Sequence, residues 1–259
     1  MKTDREAPVG VFDSGVGGLT VAREIMRNLP SEKIVYFGDT ARVPYGNKSR
    51  ETVIRYSHQI CRFLQEQQVK AIVVACNTAS AFALDAIRDD FDIPIIGVIE
   101  AGAKVAAART RNKRVGIIGT VGTVGSGIHA EYLRKLDPEI TVFGKACPLF
   151  VPLVEEGWLH DPVTTEVAVR YLRELQDKKV DTLILGCTHY PLLRSTIREI
   201  MGEDVCLVNP AYETALELGR LLTEKGLSST GAQQKEFPYR FFVSDLADEF
   251  KEFANSILP

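Results

Sequence analysis

Two cysteines stand at matching points in the two halves of a 259-residue chain. Val73-Val74-Ala75-Cys76-Asn77-Thr78 and Ile184-Leu185-Gly186-Cys187-Thr188-His189 are each an apolar run ending in a thiol, and the two thiols lie 111 positions apart. Each run reads as a buried strand that delivers its cysteine to the loop that follows. A thiolate is both a base and a nucleophile. A single base returns a proton to the face it left, unless base or substrate moves. Two thiols on opposite sides of one carbon avoid that limit and could invert a stereocentre.

The neighbours of these cysteines are polar. Asn77-Thr78 and Thr188-His189 offer side-chain donors and free backbone N–H groups. Helices are expected to begin just beyond, at Ala79 and at Pro191, proline suiting a first helical position. A helix start and nearby cations lower a thiol's pKa from about 8.5 toward neutrality. His189 is placed to hold the Cys187 thiol in its reactive state. Cys61, Cys147 and Cys206 read as core, the usual fate of free cysteine. His58, His129 and His160 have no chemical context and read as surface or structural residues.

Three further segments could supply polar groups. Asp13-Ser14-Gly15-Val16-Gly17-Gly18 is a glycine-rich turn from strand to helix, but its glycines do not fit G-x-G-x-x-G and no P-loop lysine follows. Its amides and the Ser14 hydroxyl suit a small carboxylate. Asp13 could orient an ammonium group or assist Cys76, or simply cap a turn. Gly38-Asp39-Thr40-Ala41-Arg42-Val43-Pro44-Tyr45-Gly46 has the composition of a substrate-binding loop, or of a surface turn held by Asp39 and Arg42. Pro148 to Gly157 ends in paired acids, Glu155 and Glu156, of which one could reach a cleft.

Strands alternate with helical patterns along the chain, which argues for α/β layers with mainly parallel strands. Strands are expected at Val9–Phe12, Ile34–Phe37, Ala71–Ala75, Ile93–Val98, Val115–Ile118, Thr141–Phe143, Thr182–Leu185 and Val205–Val208. Helices are expected at Thr20–Leu29, Glu51–Gln67, His129–Lys135, Thr165–Gln176 and Leu192–Met201. A closing amphipathic helix is marked by Leu246, Phe250, Phe253 and Ile257. Gly226 to Gly231 reads as a surface loop. The halves also echo each other: Val9–Gly17 aligns with Val115–Thr123, and the spacing to the cysteine is 63 residues from Asp13 and 67 from Thr120. Two similar domains are expected, each bringing one strand-end cysteine to a shared cleft.

The composition, 45% hydrophobic and 25% charged with a net charge of −3, is that of a globular protein and argues against a general nucleic-acid binder. Met1–Glu6 has no apolar stretch of the secretory kind, and no apolar run approaches the ~20 residues of a membrane span. Five cysteines without a framework spacing point to free thiols in the cytoplasm. The Cys and His residues lack the spacing of a zinc site, and no Ser-x-x-Lys or other pyridoxal lysine context is present. Neither metal nor cofactor is expected.

Four blocks together resemble bacterial glutamate racemase: Asp-Ser-Gly-Val-Gly-Gly-Leu at 13–19, Gly-Asp-Thr-Ala-Arg-Val-Pro-Tyr-Gly at 38–46, Ala-Cys-Asn-Thr-Ala-Ser at 75–80 and Gly-Cys-Thr-His-Tyr-Pro-Leu at 186–192. Residues near 115–124 and 148–157 are also similar to the family. His129 departs from it, since an aromatic such as tyrosine is expected there. The resemblance implies cofactor-independent interconversion of L- and D-glutamate, with Cys187 taking the α-proton from L-glutamate and Cys76 from D-glutamate. It implies that Asp13 assists Cys76, and that His189 and Glu155 assist Cys187. It places Asp13, Ser14, Tyr45, Gly46, Asn77, Thr78, Thr188 and His189 at the substrate. It implies domains of residues 1–99 with 211–259 and residues 100–210, a homodimer, and a product used in peptidoglycan. An aspartate-specific racemase, a thiol hydrolase built on Cys187 and His189, and an added gyrase-binding role are the competing readings.

Overall fold

The computed structural model describes residues 4–231, 238–245 and 247–258. The chain divides into two compact units, one holding residues 1–98 with 211–259 and the other residues 99–210.

The first unit begins with β1 (Val9–Asp13), α1 (Leu19–Asn28), β2 (Ile34–Gly38), α2 (Arg50–Glu66) and β3 (Ala71–Val74). It continues through α3 (Asn77–Phe82), α4 (Leu84–Arg88) and β4 (Ile95–Gly97). The second unit is entered through α5 (Val98–Arg109) and runs β5 (Arg114–Gly119), α6 (Val121–Gly125), α7 (Ile128–Leu136), β6 (Thr141–Ala146), α8 (Phe150–Glu155) and α9 (Pro162–Asp177). It closes with β7 (Thr182–Gly186), α10 (Arg194–Met201) and β8 (Cys206–Val208). The chain then returns to the first unit with α11 (Pro210–Glu224), β9 (Tyr239–Val243) and α12 (Ala247–Ile257).

Each unit is built on one parallel sheet, with strand order β4-β3-β1-β2-β9 in the first and β6-β5-β7-β8 in the second. Four strands of the first sheet and the four of the second follow the same order, so the faint internal echo is a repeat of topology. β1, β3 and β7 are buried along their whole length. Parallel strands covered on both faces must be apolar throughout, which is why these segments read as continuous runs rather than alternations. The first core gathers Phe12, Val35, Val53, Ile60, Cys61, Leu64, Ile72 and Val74 where α2 lies on the sheet. In the second unit Val115, Ile117, Leu133, Ile184 and Val208 pack with Ala103 and Ala106 of α5.

The sheet orders place the sites. From β1 the chain steps to β2 on one side and later to β3 on the other; β5 likewise has β6 and β7 on opposite sides. Ligands of open parallel sheets bind beyond the carboxyl ends of the strands at such reversals. Asp13 and Cys76 leave the strand ends at the first reversal, Thr120 and Cys187 at the second.

Several expectations are corrected. The helix after Cys76 starts at Asn77, not Ala79. Pro191 lies in a 3-10 turn, Tyr190–Leu193, and the α-helix starts only at Arg194. Cys206 is half-buried, because β8 is an edge strand, whereas Cys61 and Cys147 are core. The Asp39–Arg42 pair forms, but Asp39 is fully buried rather than at the surface. β9, α4, α5, α6, α8 and α11 have no counterpart among the expected elements. Within the closing helix Phe250 and Ile257 are buried, while Leu246 lies outside the described residues. No helix among the described residues is long and apolar enough to cross a membrane.

Candidate active site

Cys76 follows β3 as the N-cap residue of α3. Its extended backbone turns Sγ back to accept the Ala79 N–H at 3.4 Å, and Sγ lies 3.6 Å from the Ser14 hydroxyl. An N–H aimed at sulfur favours the thiolate over the thiol. Asp13 sits one strand away, since Phe12 pairs with Val74 and the Ala75 N–H donates to the Phe12 carbonyl at 2.8 Å. The Asp13 side chain is fully buried and accepts the Gly15 N–H at 3.0 Å, the local turn its position suggested. Gly18 makes room for it: a Cβ there would stand 2.3 Å from Asp13 Cβ.

Tyr36, on β2, lies beneath this corner and donates its hydroxyl to the Gly15 carbonyl at 2.8 Å. Burial raises its pKa well above the usual value of 10, and the negative charges of Asp13 and Cys76 push it further. Tyr36 was missed in the sequence. A hydroxyl within the apolar run Ile34-Val35-Tyr36-Phe37 was the available signal.

Asn77 and Thr78 occupy the first turn of α3 and are both buried. Asn77 Oδ1 has no hydrogen-bond partner among the described residues. A buried acceptor left unpaired is costly, so this oxygen suits a ligand N–H. Tyr45 and Gly46 lie in a 3-10 turn that follows a cis Val43–Pro44 bond. The Tyr45 ring is buried with its hydroxyl donated to Asp39, so what this turn can offer a ligand is main chain.

In the second unit Cys187 follows β7 directly, and only a glycine fits before it. A Cβ on Gly186 would meet the Ile118 carbonyl oxygen at 2.7 Å. His189 Nδ1 lies 3.8 Å from Cys187 Sγ and 3.5 Å from the Thr188 hydroxyl, while Nε2 lies 3.0 Å from Glu155 Oε1. Burial of His189 works against its charged form. The hydrogen bonds and charges of Cys187 and Glu155 overcome that and raise its pKa from 6.5 to about 10. An imidazolium beside sulfur is a cation placed to stabilise a thiolate. Tyr190 fixes the arrangement: its hydroxyl donates to the Cys147 carbonyl at 2.8 Å, and its ring meets Phe150 edge-on at 5.2 Å. Phe150 starts α8, the helix that ends at Glu155.

The remaining thiols and histidines are differently placed. Burial pushes Cys61 and Cys147 up to about 12, so neither is a base near neutrality. His160 is exposed, and His58 pairs with Asp90 at 3.4 Å. His129 is buried, and neither ring nitrogen has a partner among the described residues. Among those residues no three His, Cys, Asp or Glu side chains are gathered as a metal would need.

The site elements are thus those of a parallel α/β protein that carries, at each of two sheet reversals, a strand-end thiol with polar neighbours. A family model described as Asp/Glu/Hydantoin racemase matches residues 16–216. The glutamate racemase of Geobacter metallireducens is 51% identical over 250 residues, covering 96% of this chain and 92% of that protein. Among solved structures, the glutamate racemase isoform RacE1 of Bacillus anthracis superposes with a TM-score of 0.93 at 42% identity, covering 97% of this chain and 94% of that one. The Francisella tularensis glutamate racemase in complex with D-glutamate gives 0.91 at 42% identity, covering 98% and 94%. The chain belongs to the Asp/Glu/hydantoin racemase family.

Proposed function

We propose that this protein racemises glutamate without a cofactor, using Cys76 and Cys187 as two bases assigned to opposite faces of the α-carbon. The observation that carries the reading is the contact of Cys187 with an imidazole that is itself held by Glu155. Toward L-glutamate, the Cys187 thiolate takes the α-proton. The electron pair left on carbon spreads into the substrate carboxylate, and the Cys76 thiol gives its proton to the other face. Toward D-glutamate the roles exchange. His189 and Glu155 poise Cys187; Ser14, the Ala79 N–H and the neighbouring Asp13 poise Cys76.

The difficulty of the reaction is charge on carbon beside a carboxylate. Donors aimed at that carboxylate supply the stabilisation. The amides of the Ser14–Gly18 turn other than that of Gly15, the main chain of Tyr45 and Gly46, and the Thr78 and Thr188 hydroxyls are the groups assigned to it. Asn77 Oδ1, which lacks a partner among the described residues, takes the substrate ammonium. The relatives' name supports glutamate as the substrate. The enzyme acts in the cytoplasm as a homodimer, and its product enters peptidoglycan.

The test is incorporation of solvent deuterium at the α-position of each enantiomer, with no pyridoxal phosphate present. Wild-type protein should exchange both. Cys76→Ser and Cys187→Ser should each reduce racemisation at least a hundredfold, the lower range for loss of an acid–base group. Full turnover in both directions by either variant would refute the two-base reading.

A further inference from the structure

The segment between β2 and α2 belongs to no sheet ladder, yet it carries Tyr45 and Gly46. Its own turns supply two backbone bonds, Arg42 N–H to the Asp39 carbonyl and Lys48 N–H to the Tyr45 carbonyl, each 3.0 Å. Several of its side-chain bonds converge on one residue, Asp39. The Asp39 carboxylate, fully buried, receives the Tyr45 hydroxyl, the Arg42 Nε at 2.9 Å and the Ser244 hydroxyl at 2.9 Å. Asp39 also donates its N–H to the Asp13 carbonyl at 3.1 Å, joining the loop to the corner beside Cys76.

Ser244 comes from the far end of the chain. β9 pairs with β2 so that Val243 lies opposite Gly38, and the Ser244 N–H extends the ladder to the Gly38 carbonyl at 3.1 Å. That register sets Ser244 beside Asp39. Its hydroxyl works in both directions, donating to Asp39 Oδ1 and accepting the Ala41 N–H at 2.9 Å. The next residue adds a second clasp, since Thr40 Oγ1 donates to the Asp245 carbonyl and accepts the Asp245 N–H. A strand from the C-terminal return therefore holds the loop by its first turn.

We propose that Ser244 is a positioning residue for substrate binding: through Asp39 and Ala41 it fixes the loop that presents the Tyr45–Gly46 main chain. The proposal rests on the racemase reading for its substrate, but not for its geometry. Ser244 is exposed and contributes no apolar surface to the core, so removing its hydroxyl changes the loop's anchoring and little else. Asp39 keeps Tyr45 and Arg42, which leaves the corner near Cys76 assembled.

The experiment compares wild type, Ser244→Ala and Ser244→Thr. Ser244→Ala should raise KM for both glutamate enantiomers roughly tenfold, the worth of one hydrogen bond to a charged group, with kcat within about twofold. Hydrogen–deuterium exchange should quicken in peptides covering residues 39–47 and stay unchanged over β1 and β3. Ser244→Thr, which keeps the hydroxyl, should restore both readouts. An unchanged KM with unchanged exchange would overturn the proposal. So would a joint loss of kcat and thermal stability at constant KM, the signature of a merely structural residue. If the wild-type protein failed to racemise glutamate, the racemase reading would fall, and loop exchange would still decide whether Ser244 anchors the loop.

Discussion

Glu155 Oε1 lies 3.0 Å from His189 Nε2, although 34 residues separate the two in the chain. The contact depends on α8 ending where the 3-10 turn after β7 begins, and on the edge-on meeting of Phe150 and Tyr190 that joins those elements. Glu155 is partly exposed while His189 is buried, so the carboxylate stays hydrated while its partner is not. Its effect is to hold the imidazole in one orientation, with Nδ1 turned to Cys187.

Loss of this pairing should act on one direction of the reaction. His189→Asn is expected to reduce kcat for L-glutamate about a hundredfold or more, the usual scale for a group tuning an acid–base residue. Glu155→Gln should cost less. In both variants exchange initiated from D-glutamate, where Cys76 takes the proton, should show the smaller isotope-incorporation defect. Equal losses in the two wash-in rates would contradict the assignment of His189 to Cys187.

The same imidazolium should govern alkaline stability. Its folded-state pKa of about 10 exceeds the unfolded value of 6.5. The folded form therefore holds a proton that the unfolded chain releases, and unfolding free energy falls as pH rises between those values. The contribution is fully present below pH 6.5 and is lost as pH passes 10. Urea unfolding of wild type and His189→Asn should show a stability difference that shrinks across this interval.

His129 should act in the opposite sense. Burial lowers its pKa from 6.5 to about 4. Below pH 6.5 the unfolded chain takes up a proton that the folded one refuses, so stability drops as pH falls through that range. By pH 4 the loss is about 3 kcal/mol, taking 1.36 kcal/mol per unit. His129→Phe removes the titration, and its unfolding free energy should be flatter between pH 6.5 and 4. Parallel curves for the two proteins would contradict this.

A buried ion pair holds the opposite end of the first sheet. Lys70 Nζ, fully buried, lies 2.5 Å from Glu32 Oε2 and 2.6 Å from the Arg5 carbonyl, and Glu32 Oε1 accepts the Ser229 N–H at 2.8 Å. Lys70→Met strands the carboxylate and should cost about 3–5 kcal/mol in thermal or urea unfolding. Adding Glu32→Gln to that variant should recover much of the loss, because no unpaired charge is then left buried at that position.

The amino-acid sequence by itself determined the strands and their cargo. β1, β3 and β7 are covered on both faces, and that burial writes an uninterrupted apolar run into the chain, legible without its partners. The cysteines stood out because each interrupts such a run where polar residues begin, and the four family blocks were local enough to be recognised. Long-range pairing had no such signature. Of the adjacent acids Glu155 and Glu156, spacing could not select one; the end of α8 brings Glu155 to His189. Asp39 reads from the sequence nearly as well as part of a surface turn, yet it is buried and takes a hydrogen bond from Ser244, 205 positions later. β9 has no such signature, because an edge strand with no fully buried residue leaves a short, mixed run such as Tyr-Arg-Phe-Phe-Val. Periodicity records which face a segment hides. What it hides against is settled by strand order and register, and these arise only when distant segments pair.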